Sequence, residues 1–268
     1  MSESMLPIIE VKNIVKRFGD RAVLDGINVV IPQGKITVIM GGSGCGKTTF
    51  LRHLIGLHTP TSGEIWVDGK NIAGLKEKEM NEVRRKFGML FQGSALFNSM
   101  TVGENVAVPL KEHTDLSAEI IRIIVRVKLE LVGLTGFDDF MPHEISGGMK
   151  KRVALARAIA LDPKIVFYDE PGAGLDPITA SMIDRLILDL SKKLNITSVV
   201  VTHEMKSAFR IADQIIILHK GKVLQVGTPQ EIQNSKNSYV QQFIQGESEG
   251  VIPFKQTSEA YLKGLLET

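Results

Sequence analysis

The sequence predicts an α/β domain on a largely parallel sheet, with a helical insertion in mid-chain. Three observations point there. Short β-branched runs alternate with amphipathic segments along most of the 268 residues, the pattern of strands joined by crossover helices. A glycine-rich loop stands directly between one such run and one such segment. The stretch 105–133 carries apolar residues at helical spacing.

Residues 8–15, 28–31 and 36–40 read as strands, being short, β-branched and bounded by Gly or Pro. The glycine-rich loop 41–46 comes next, and 48–57 follows as a helix. Residues 64–67 read as a strand entering an Asp68-Gly69 turn, and 76–86 as a charged helix. Between 105 and 133 the chain is mostly helical, with Ile120, Ile121, Ile124, Val127 and Leu131 expected near one face. Strands at 165–168, 198–201 and 214–218 then alternate with helices at 180–193 and 206–212. From about residue 246 the periodicity fades into a tail, 246–268, for which two readings stand. It is a disordered end, or its stretch 243–254 packs on a second copy and stabilises the pair.

A hydrophobic fraction of 43% with 23% charged residues is ordinary globular composition and argues against disorder. A net charge of +2 is far from the basic field of a dedicated nucleic-acid binder, so no nucleic-acid partner is expected. The single cysteine, Cys45, excludes an internal disulfide framework and fits a reducing compartment. No basic-then-apolar leader is expected from the start of the chain. No run approaches the roughly 20 apolar residues of a membrane span. Work at a membrane would therefore require partners.

Gly41-Gly42-Ser43-Gly44-Cys45-Gly46-Lys47-Thr48 fits the phosphate-loop pattern G-x-x-x-x-G-K-[ST]. Glycines let the backbone take positive φ and turn its N–H groups around a polyanion. The helix that follows aims its positive end at the same phosphates. Lys47 is expected to reach the β- and γ-phosphates and Thr48 to offer its hydroxyl to Mg²⁺. Thr49, next on the helix, joins the nucleotide-contacting set. Cys45 is a small loop filler, or else a thiol coupling oxidation to nucleotide binding.

Residues 165–170, IVFYDE, form an apolar strand ending in two acids. Such an ending places carboxylates at the sheet edge where open α/β sheets bind ligands. Asp169 is the expected Mg²⁺ partner, through water, and Glu170 the group that orients or deprotonates an attacking water. The apolar run 198–202 ends at His203, placed to hydrogen-bond a γ-phosphate. His53, His58, His113, His143 and His219 have no comparable placement, and no Cys/His cluster suggests zinc.

Ile145-Ser146-Gly147-Gly148-Met149, followed by Lys150-Lys151-Arg152, resembles the signature of the ABC family, usually written LSGGQ, at that family's distance before the acidic strand. Ser146 and the Gly147 and Gly148 amides at a helix start make a second anion site. In ABC proteins the signature of one copy completes the ATP site of the other. The resemblance extends to Gln92 in MLFQ as the glutamine that touches Mg²⁺ and water, to Gly174-Leu175-Asp176 as the loop holding Asp176, and to His203 as the switch histidine. Phe18, in KRFGD, stands where the family stacks an aromatic ring on adenine, with a core phenylalanine as the alternative. Two positions depart from the pattern: Met149 replaces a glutamine and Gly42 a common proline.

The resemblance implies a P-loop NTPase of ABC type over residues 7–245, with a mixed sheet core, an antiparallel β subdomain and a helical subdomain near 93–160. ATP and Mg²⁺ are the implied cofactors, and Glu170, His203, Gln92 and Lys47 the implied catalytic set. Within the family, Gly93-Ser94-Ala95-Leu96-Phe97, the stretch VPLKEHT, the SGGM signature and the GVIPF of the tail resemble the ATPase of Mla-type phospholipid transporters. That implies a second copy, an integral membrane permease docked near Gln92, an MCE-domain lipid-binding protein and a small STAS-domain protein. It also implies a peripheral place on the cytoplasmic face of the inner membrane. The alternatives are the ATPase of an amino-acid-type importer and a soluble iron–sulfur-assembly ABC ATPase.

Overall fold

The computed structural model describes residues 7–247, so the tail reading falls outside the described residues beyond Glu247. Strands β1 (Pro7–Phe18) and β2 (Arg21–Pro32) pair antiparallel. Their alternating apolar positions, Ile9, Val11, Ile27 and Ile31 among them, turn inward, as a one-sided sheet requires. Strand β3 (Ile36–Gly41) is buried along its whole length and feeds helix α1 (Lys47–Leu54). Strands β4 (Ser62–Val67) and β5 (Lys70–Asn71) complete a four-stranded antiparallel sheet ordered β2-β1-β4-β5. Helix α2 (Glu77–Arg84) then leads to β6 (Phe87–Leu90).

The mid-chain insertion comprises α3 (Val102–His113), α4 (Ala118–Leu131) and α5 (Gly147–Ala158). Each start is capped by a hydroxyl: Thr101, Ser117 and Ser146 accept from the backbone N–H of Glu104, Ile120 and Met149. The expected 105–133 segment is thus two helices, because Ser117 caps a new one. The face expected of α4 also needs correction. Of the expected face, Ile121 is buried and Ile124 and Leu131 pack against the core, joined by Val125 and Leu129, whereas Ile120 (44% exposed) and Val127 (49%) point outward. Lys128 shares the inner side and pairs with Asp162 at 2.5 Å. A cation matched by a carboxylate can occupy a position that an apolar count assigns to a neighbour.

The chain continues through β7 (Ile165–Asp169), α6 (Pro177–Leu194), β8 (Thr197–Val201), α7 (Met205–Ile211), β9 (Gln214–His219), β10 (Lys222–Gly227), α8 (Pro229–Gln233) and α9 (Ser238–Gln245). The second sheet is ordered β10-β9-β3-β8-β7-β6. Five of its strands run parallel and β10 pairs antiparallel to β9, which makes it mixed.

Strands β3, β7, β8 and β9 of this sheet are buried on both faces, as parallel strands are, whereas β10 is partly exposed. Val38, Met40, Val166, Tyr168 and Val200 face the helices of the insertion and α6, while Ile39, Phe167, Val199 and Val201 face α1 and the antiparallel sheet. Each such side chain, fully buried, contributes about 1.5–3 kcal/mol. Among the described residues no helix is long and apolar enough to cross a membrane.

Candidate functional site

Parallel register decides what stands at the carboxyl edge of the second sheet. Ile39 of β3 and Asp169 of β7 both pair with Val201 of β8, and Tyr168 pairs with Leu90 of β6. The loop after β3, Gln92 after β6, Asp169 and Glu170 after β7 and His203 after β8 therefore leave the sheet on one side. Four motifs scattered in sequence become neighbours because the strands that carry them end in register.

The phosphate loop has the required backbone. Gly41, Gly44 and Gly46 have φ of +153°, +72° and +109°. A Cβ at Gly41 would lie 2.3 Å from the Leu218 carbonyl oxygen and 2.6 Å from Cys45 Sγ, so only glycine fits there. Gly46 precedes the first residue of α1. The Lys47 ammonium donates to the carbonyls of Gly41 at 2.7 Å and Gly42 at 3.2 Å. Ser43, Gly44 and Thr48 are exposed, and Thr49 uses its carbonyl to hold His53 Nδ1 at 2.7 Å. Cys45 is buried, and burial pushes its thiol pKa up against the pull of Lys47. That environment suits an inert filler rather than a reactive thiolate. The tyrosine of α9, Tyr239, rests near Gly42 and meets the His219 ring at a tilt of 47°, with ring centres 3.9 Å apart.

Glu170 takes φ +49°, unusual for a residue with a side chain. Its N–H donates to Val201 O at 2.8 Å, and its carbonyl accepts from Ala173 at 3.1 Å. Its carboxylate Oε1 lies 2.8 Å from His203 Nδ1, and Oε2 accepts the His203 main-chain N–H at 3.4 Å. The carboxyl of Asp169 is raised by burial and by Glu170's charge, against the pull of Arg52, Lys151 and Lys47. An acid pair so placed favours a cation. The oxygens of Asp169, Thr48 and Gln92 are hard donors, a set that fits Mg²⁺ sharing its shell with phosphate and water.

Phe18 is 50% exposed, which removes the core alternative; His58 meets its ring edge-on and the Lys16 ammonium sits 5.2 Å from its centre. Ser146–Gly148 lies at the start of α5, in the helical insertion. Gly147 and Gly148 pack toward Leu175 and Thr179, and no hydrogen bond among the described residues joins them to residues 41–48. Met149, where the glutamine is usual, packs against the core. Asp176 caps α6, accepting from Ile178 and Thr179 N–H at 3.0 Å and from the Thr179 hydroxyl at 2.5 Å. The Thr179 hydroxyl, then its amide, hold the Asp176 carboxyl below its usual range.

The family model described as ABC transporter matches residues 24–173. The chain belongs to the ABC transporter family. It is 47% identical to the intermembrane phospholipid transport system ATP-binding protein MlaF of Haemophilus influenzae, over 97% of this chain and 98% of that protein. To MlaF of Escherichia coli strain K12 it is 42% identical over 99% of both. Among solved structures it is similar to the ATP-binding cassette MJ0796, in a dimeric post-hydrolysis state bound to ADP and Pi, with a TM-score of 0.76 and 34% identity over 82% of this chain and 98% of that one.

Within this ABC cassette, three cations absent from the sequence-based set shape the site. Lys151 is buried on α5 and donates to Gln92 O. Arg157, further along α5, donates to Ala95 O at 2.7 Å and Ser94 O at 2.8 Å. Arg52 of α1 lies close enough to act on Asp169. Burial pushes the Lys151 pKa down, while Asp169 and Glu170 pull it up. The one available signal was the cationic run after the signature, which does not show which member turns inward.

Proposed function

We propose that this chain is the ATPase subunit of a phospholipid transporter, working as a pair of copies on the cytoplasmic face of an inner-membrane permease. The observation that carries the reading is the convergence of the phosphate loop, Gln92, Asp169, Glu170 and His203 on one sheet edge, while Ser146–Gly148, at the start of α5, has no hydrogen bond to that loop among the described residues. A single copy so built has half of each nucleotide site. The dimeric state of the similar cassette supports the pairing, and the name shared by the two MlaF relatives supports phospholipid as cargo.

In this reading the amides of residues 41–46 and the Lys47 ammonium hold the triphosphate, and Phe18 stacks on adenine. Magnesium, held by Thr48, Gln92 and Asp169 with phosphate oxygens, would offset charge on the β- and γ-phosphates. Glu170 accepts the proton of the water that attacks γ-phosphorus, and the bond to ADP breaks with its electron pair on ADP. His203, held beside Glu170, donates to the γ-phosphate. Ser146 and the amides of Gly147 and Gly148 close on the nucleotide of the partner copy, next to the Asp176 loop.

A groove of about 850 Å³ lies beside Gln92, lined by Phe87, Met89, Phe97, Val108, Pro109 and Arg157 among others. Its apolar floor and cationic rim suit a helix end of the permease. An MCE-domain lipid-binding protein and a small STAS-domain protein complete the proposed assembly, on the strength of the sequence resemblance.

Isolation of the assembly from native membranes, with mass spectrometry of its subunits and bound lipid, tests the reading. A permease with bound phospholipid is expected, together with ATP turnover that depends on both. A complex carrying a small-solute permease and no lipid would overturn it.

A further inference from the structure

Lys151 is only 4% exposed, yet it lies on the helix that presents the signature, just over one turn beyond Ser146. Its ammonium donates to the main-chain oxygen of Gln92 and reaches that of Glu170 at 3.5 Å. These oxygens belong to loops leaving two adjacent strands, β6 and β7. An apolar side chain would fill the same space without a desolvated charge, so packing alone gives no reason for lysine.

The two loops are the ones that need restraint. Glu170 is left-handed, and so are Ser94 and Ala95 beyond Gln92, with φ of +64° and +49°. Strained residues hold their geometry only where neighbours over-determine it. Arg157 of the same helix takes the Ser94 and Ala95 carbonyls. Lys151 adds the link that crosses from the signature helix to the acid strand.

We propose that Lys151 is a positioning residue for hydrolysis: its ammonium ties the signature helix to the backbones of Gln92 and Glu170. Ser146–Gly148 would close on the nucleotide of the partner copy while Lys151 sets the geometry of this copy's own water-activating groups, so docking at one site is felt at the other. The inference rests on the roles proposed above for Gln92 and Glu170.

The test is steady-state ATP hydrolysis by the full chain in its native complex, with Lys151→Met, Lys151→Arg and Glu170→Gln in parallel. Lys151→Met should lower kcat by about 10–100-fold, as a misplaced catalytic group does, with the KM for ATP within about threefold of wild type. Lys151→Arg should recover most of the loss, because it restores a donor cation. If Lys151→Met is insoluble, Lys151→Gln carries the same comparison. Wild-type kcat in the neutral variant, or an arginine variant no better than methionine, overturns the proposal provided Glu170→Gln is inactive. An active Glu170→Gln would instead fail the reading of the site itself.

Discussion

The carboxylate of Glu170 and the imidazole of His203 face each other at 2.8 Å, each carried past the end of its own parallel strand. The contact exists because β7 and β8 pair with Asp169 opposite Val201. It leaves the acid oriented from two sides, by the ring and by the His203 main-chain N–H.

Glu170→Gln keeps the shape of the side chain and removes the base. Turnover should fall by about 100-fold or more, the usual weight of a positioned general base, while ATP still binds. Size-exclusion chromatography with ATP should show a stable closed pair. Unchanged turnover in the purified complex would remove Glu170 from the proposed role.

Among the described residues Lys47 donates only to the neutral carbonyls of Gly41 and Gly42, so its removal should cost the fold little. Lys47→Ala should weaken ATP binding by about tenfold or more, the equivalent of one charge-assisted contact of about 1.5–3 kcal/mol. Titration calorimetry against a non-hydrolysable ATP analogue measures this, with thermal unfolding as control. Affinity equal to wild type would contradict the assignment.

Asp68, in the turn between β4 and β5, accepts from Lys86 at 2.8 Å and Lys164 at 2.9 Å. The bonds from Lys86 and then Lys164 hold its carboxyl below the usual range. Because the folded value lies below the unfolded one, the bridge stabilises above about pH 4 and is lost as pH falls through the folded value. Asp68→Asn should therefore destabilise by about 1 kcal/mol at neutral pH. That gap should narrow in urea unfolding as the pH falls below about 4; a gap constant with pH would show that the charges are not its source.

Much of this architecture was legible in advance. The β-branched, mostly apolar runs of β3, β7 and β8 identify buried parallel strands, and the glycine loop, the acid pair and His203 stand at or just beyond their ends. Strand β6 was not legible, because four residues, Phe87–Leu90, become a strand only by pairing with β7. On α4 local periodicity counts Ile120 and Val127 inward and cannot register that Lys128 meets Asp162 across 34 residues of sequence. The sequence hides Lys151 for the same reason. Its neighbours Lys150 and Arg152 are partly exposed, and what draws Lys151 inward is two backbone carbonyls that only the fold brings together.

Each ATP is expected to lie between the phosphate loop of one copy and the signature of the other. Tandem or doubly tagged pairs carrying Lys47→Ala and Ser146→Arg test it most directly. With one substitution on each copy, both defects should fall on the same site, leaving the second site whole and ATP turnover measurable. With both on one copy beside a wild-type partner, each site should carry one defect and turnover should be lost. The reverse outcome, activity only when both substitutions share a copy, would mean that each chain builds its site alone.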